Sequence, residues 1–172
     1  MSQQLTPPVS ETDHSRGDEK AALVVVEYGD YECPHCGSAH KELKRLEEEG
    51  VSMRFIFRNF PLSESHANAF AAAMAAEAAD RQGKFWEMHD YIFEHQDSLT
   101  RGHLPDMARA IGLDMDRYRT DMNAESAEQK VQDDFESGIR SGVNGTPSFY
   151  VNGNKFNGSI SELASQGEKN LG

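Results

Sequence analysis

The sequence predicts an α/β fold, a βαβ unit followed by a long helical block and then by two strands and a closing helix. Three observations point there: a β-branched run at Ala21–Tyr28, helical periodicity across residues 63–142, and an Asn152-Gly153 turn between two short strand-like runs. "AALVVVEY" suits a strand buried on both faces. A helix is expected from Pro34 to Glu49, with Cys36, Ala39, Leu43 and Leu46 on one face and Gly50 as its stop. "VSMRFIFRNFP" then puts Val51, Met53, Phe55 and Phe57 on one side of a second strand, ended by Pro61. Strand, helix and strand within about forty residues imply parallel pairing.

Between Ser63 and Gly142 the apolar residues fall in helical stripes, such as Ala67, Phe70, Ala71, Met74 and Ala78, punctuated by Gly83, Gly102 and Gly112. After it, Ser148–Val151 and Asn154–Asn157 flank Asn152-Gly153, a dipeptide that accepts positive φ at both hairpin positions. Ser159 to Glu162 fits a capping box opening a last helix, weakened at Gly167. Residues 1–20, polar and carrying Pro7-Pro8, are expected as a mobile tail or loosely docked arm.

With 29 acidic against 17 basic residues the net charge is −12, and no basic stripe is present. That excludes phosphate-backbone binding as the expected activity, so no nucleic-acid partner is expected. No apolar run is long enough for a membrane span, and no basic-then-apolar leader opens the sequence. The expectation is a cytoplasmic protein, or a periplasmic or extracellular one if the chain is a mature fragment.

The only two cysteines, Cys33 and Cys36, stand together in "GDYECPHCGSAHKEL" at the expected helix start. A sulfur there meets free backbone N–H groups and the positive end of the helix dipole. Pro34 suits the first turn, where its missing N–H costs nothing, and a protonated His35 would further favour a Cys33 thiolate. An ordinary thiol with a pKa near 8.5 is about 3% ionised at pH 7, whereas one near 5 is almost wholly thiolate. A zinc site would need four ligands, and C-P-H-C followed by His40 matches no familiar finger spacing. No metal or other cofactor is expected. His40, His66, His89, His95 and His103 read as surface or helix-packing residues.

"VVVEYGDYECPHC", "FRNFPL", a helical insertion and "GTPSFYVNG" together resemble the DsbA-type thiol:disulfide oxidoreductases. The resemblance covers residues from about Ala21 to the C-terminus and implies a thioredoxin-like fold with an inserted helical domain. It divides the chain into a thioredoxin-like domain (21–62 and 143–172) and an insertion (63–142). It implies Cys33 as the attacking cysteine, Cys36 as the resolving one, His35 as a stabiliser of the thiolate and Glu27 as a buried acid carrying protons. Thr146-Pro147 matches the dipeptide at the family's cis-proline, where a substrate peptide would pair with the Thr146 backbone. On the residues alone a second reading stands beside these: Glu27 as an outward-facing strand residue and Pro147 as an ordinary trans proline starting an edge strand. The implied partners are protein thiols and disulfides and a redox-recycling partner or glutathione. Thr before the proline is the choice of several reducing or isomerising relatives, where oxidising ones often carry Val. Two other readings stay open: a non-catalytic peptide-binding or redox-sensing module, and a glutathione-dependent isomerase or transferase on the same fold. The latter relatives generally have Ser where Cys33 stands.

Overall fold

The β-branched run forms β2 (Val24–Gly29), and the aromatic-rich segment after the first helix forms β3 (Arg54–Asn59), paired parallel in register Val24 to Arg54. Between them α1 (Pro34–Glu48) buries Cys36, Ala39, Leu43 and Leu46 against the sheet, the face its periodicity predicts. The hairpin strands are β4 (Ser148–Val151) and β5 (Asn154–Phe156), turning through Asn152 (φ 50°) and Gly153 (φ 89°). This computed structural model describes residues 3–171.

The N-terminal segment corrects one expectation. Instead of a mobile tail, it is built into the sheet: β1 (His14–Gly17) pairs antiparallel with β3, giving the order β1-β3-β2-β4-β5. Its residues look polar because their partners are polar or aromatic. The His14 ring stacks on Phe85 with centroids 3.6 Å apart and bonds Glu77 at 2.8 Å, while Arg16 lies over Trp86 and ion-pairs Asp90. At the other edge Leu5 is buried and donates its N–H to the Gly153 carbonyl.

The helical block contains α2 (Ala69–Asp80), α3 (Phe85–Glu94), α4 (Leu104–Ala110), α5 (Met115–Asp121) and α6 (Glu125–Ser141). A 3-10 turn, Gln96–Ser98, follows α3. Alanine lets α2 pack closely, and one continuous apolar core runs from Val25 and Leu43 through Ala72 and Met88 to Leu104. The closing helix α7 (Ser161–Leu171) passes through Gly167 without a break. Its expected capping box is not formed as read: Glu162 donates to the Ser159 carbonyl, and the Ser159 hydroxyl bonds Ser161.

Candidate active site

Strand β2 delivers the chain to the site, and a buried aspartate fixes the turn that follows. Asp30 Oδ1 accepts the Glu32 N–H at 2.7 Å, and Oδ2 accepts the Leu62 N–H and meets His66 Nδ1, both at 2.8 Å. The Asp30 carbonyl accepts the Cys33 N–H, which sets Cys33 as the extended N-cap of α1 (φ −71°, ψ 121°). The helix has no side-chain cap there, so its first N–H groups are left for a sulfur. An aspartate just ahead of a helix start is a turn signal, and Asp30 could have been read from it.

Both cysteines are free thiols, Cys33 5% exposed and Cys36 fully buried. The Cys33 thiol is lowered to about 5, first by the Cys36 thiol donating to it, then by the Thr146 side chain and the backbone N–H groups of Cys36 and His35, all against desolvation. Cys36 moves far upward, chiefly through burial and then through its bond to Cys33 and the nearby Glu27 charge. One sulfur is thus the readily ionised one, and the other keeps its proton.

His35 and Pro34 are exposed on the first turn of α1, and the His35 backbone N–H is one of the donors to Cys33. The Thr146–Pro147 bond is cis. The neutral Cys33 thiol donates to the Thr146 carbonyl at 3.7 Å, and the buried Thr146 hydroxyl, with no other partner, is the donor at hand for the thiolate. Sequence reasoning assigned Thr146 its backbone; the hydroxyl is the addition.

Glu27 points inward, 2% exposed, and its Oε2 has no hydrogen-bond partner. Burial and then the Cys33 charge push its carboxyl up to about 8, with Arg16 opposing. Gly29 makes room for it, since a Cβ there would lie 2.7 Å from Glu27 Oε2. Gln96, for which the sequence held no signal, donates to the carbonyls of Tyr31 and Cys33 from the helical block.

His40 and His89 are buried beside Phe93, and burial lowers both rings, His40 to about 4. With Asp90 they form the converging set of metal-capable side chains among the described residues. Arg16 already holds both Asp90 oxygens at 2.9 Å and Lys44 adds a second cation at 3.5 Å. That charge suits an ion pair and repels a divalent metal.

A family model described as Thioredoxin matches residues 9–166. Among solved structures, the thiol-disulfide exchange protein alpha-DsbA2 from Wolbachia pipientis superposes with a TM-score of 0.82 at 23% identity, covering 93% of this chain and 88% of that one. BdbD from Bacillus subtilis, in its oxidised form, gives 0.83 at 24% identity over 99% and 97%. A sequence relative named Na(+)/H(+) antiporter NhaA 1, from Salinispora arenicola, is 40% identical over 90% of this chain. The chain spans about a quarter (24%) of that relative's length. No helix among the described residues is long and apolar enough to cross a membrane. The chain belongs to the thioredoxin family, and its fold is that of the DsbA-type thiol-disulfide exchange proteins.

Proposed function

We propose that the protein is a thiol:disulfide oxidoreductase exchanging disulfides with protein substrates through Cys33 and Cys36. The observation that carries this reading is the opposed pair of thiols, Cys33 lowered to about 5 and Cys36 raised. The Cys33 thiolate attacks one sulfur of a substrate disulfide, forming a mixed disulfide and releasing the other sulfur as a thiolate. Cys36 then gives up its proton, attacks Cys33 and releases the second substrate thiolate, leaving a Cys33–Cys36 bond and a substrate reduced by two electrons. Glu27 takes the Cys36 proton, because a carboxyl near 8 is a base matched to neutral pH. In reverse, a substrate thiolate attacks the oxidised pair and the same steps run backwards. Thr146 and Pro147 form the wall against which a peptide lies, with the Thr146 backbone open to strand pairing.

The test is reduction of insulin and oxidation of a reduced disulfide protein. Cys33→Ser abolishes both, and Cys36→Ser accumulates a covalent adduct with substrate. Equal activity of wild type and Cys33→Ser would leave a peptide-binding or redox-sensing module, a reading that one feature favours. An open groove of about 500 Å³ is lined by Pro61, Leu62, Phe70, Val131 and Phe135, and Phe70 is 41% exposed. The complete cysteine pair argues against a glutathione-dependent transferase.

A cytoplasmic setting is also part of the proposal, with glutathione or a dedicated partner recycling the pair. A potential near the DsbA value of about −120 mV, against a pool near −220 mV, favours the dithiol about a thousandfold. Thiol trapping in intact cells should then find the pair reduced; a mostly oxidised pair overturns that setting.

A further inference from the structure

Gln96 lies in the 3-10 turn after α3, 63 residues from Cys33 in sequence. Its Nε2 donates to the Tyr31 carbonyl at 2.7 Å and to the Cys33 carbonyl at 3.0 Å. The Cys33 carbonyl also accepts the first helical N–H, from Gly37, at 3.1 Å. One amide group therefore bridges the carbonyls on either side of Glu32 and closes the turn carrying Cys33 onto the helical block. It fits there because residue 37 has no side chain. A Cβ on Gly37 would overlap Gln96 Oε1 and lie 2.8 Å from Cδ. Gly37 has no positive φ and sits in the middle of the first turns of α1, where glycine costs about 1 kcal/mol relative to alanine. Backbone conformation does not explain a glycine here; the space for Gln96 does.

We propose that Gln96 is a positioning residue for the Cys33–Cys36 chemistry, holding the N-cap turn from the helical block through an amide that Gly37 leaves room for. The inference deepens the disulfide-exchange reading and rests on it for its biological meaning. The physical reason is the short reach of the groups that stabilise the thiolate. The backbone N–H groups of His35 and Cys36 and the Thr146 hydroxyl act on Cys33 Sγ only while the N-cap keeps its dihedral angles. Asp30 fixes the turn from the sheet side and Gln96 from the helical side, so the sulfur is held from two directions.

The test is a cycle of Gln96→Ala, Gly37→Ala and the double variant in the full chain, read by the pH dependence of Cys33 alkylation in the reduced protein. Gln96→Ala raises the Cys33 midpoint by about one unit, tenfold in the thiolate-to-thiol ratio. Gly37→Ala does the same, because its methyl group displaces the flexible amide and leaves the backbone in place. The double variant is no worse than either alone, since the second change removes what the first already lost. An unmoved midpoint in both single variants overturns the inference, and so do additive shifts. Urea unfolding of each variant separates this from general loosening: a fall in stability with an unchanged midpoint makes Gln96 a structural residue only. Because alkylation needs no exchange partner, a protein inert towards insulin would still report the Gln96 effect, and the two readings fail independently.

Discussion

Two buried polar regions lie along the paired strands β2 and β3, one around Glu27 and one around Asn59, and are treated differently. Beneath the cysteines, Glu27 leaves an oxygen unpartnered and Thr146 an unpaired hydroxyl. Under α2 and α6, the carboxylates are almost fully answered. Asp134 accepts both the backbone and side-chain N–H groups of Asn59 and a 2.7 Å contact from Lys130, while Glu77 takes His14 and the Asn59 amide. Nearby, Arg58 is held by Asp13 and Tyr28. Burial raises both the Asp134 and Glu27 carboxyls, and at Asp134 Lys130 and the Asn59 N–H oppose the rise without cancelling it. A buried acid with partners ties helices to a sheet; one left without them keeps a proton available near neutrality.

The largest expected effect lies at Cys33. Its alkylation rate should have a midpoint near pH 5 in the folded reduced protein and in the ordinary thiol range of about 8.5–9 in urea, several-thousandfold in ionisation ratio. A folded midpoint near 9 would remove the difference between the two regions. Because the folded value is depressed, reduced wild type should gain stability over Cys33→Ser as pH rises from 5 to 9 and lose that gain as pH falls through 5.

Next in size, Asp134→Ala strands the Asn59 donors and Lys130 and should cost about 3–5 kcal/mol in urea unfolding, with the Cys33 midpoint unchanged. A cost below about 1 kcal/mol would mean the network is not structural.

Glu27→Leu goes the opposite way. Its folded value near 8 stands above the ordinary 4.5, so wild type loses stability as pH rises from 4.5 to 8. The variant should lack that decline, be more stable by about 1–4 kcal/mol at pH 8, and resolve mixed disulfides more slowly. Greater stability with unchanged exchange would strip Glu27 of its proton-carrying role.

The smallest effect sharpens the comparison within the site. Cys33→Ser should lower Glu27 from about 8 yet leave it above 4.5, because burial outranks the Cys33 charge among its causes. The pH dependence of the stability difference between Cys33→Ser and its Glu27→Gln double variant measures it.

Much of the central architecture is legible in the sequence. The β-branched run, the helix carrying Cys36 and Leu43 on one face, and the Asn152-Gly153 turn state their structure through periodicity and φ preference. Strand β1 was not legible, because "HSRG" has no alternating apolar residues; its order comes from Phe85, Trp86, Glu77 and Asp90, all far along the chain. Within the site, the cysteines announced themselves by spacing. For His35 the spacing did not show that its backbone N–H would be among the groups lowering Cys33, with the residue itself exposed.

The sequence by itself determined where the two sulfurs sit: one helical turn apart, after a strand and at a helix N-terminus, a placement that follows from local dihedral preference. Only the tertiary structure decided how each ionises. The Thr146 hydroxyl and the unpartnered Glu27 carboxyl reach the two sulfurs from separate elements, and their effects depend on distance and burial. A one-dimensional string orders residues but does not fix either quantity.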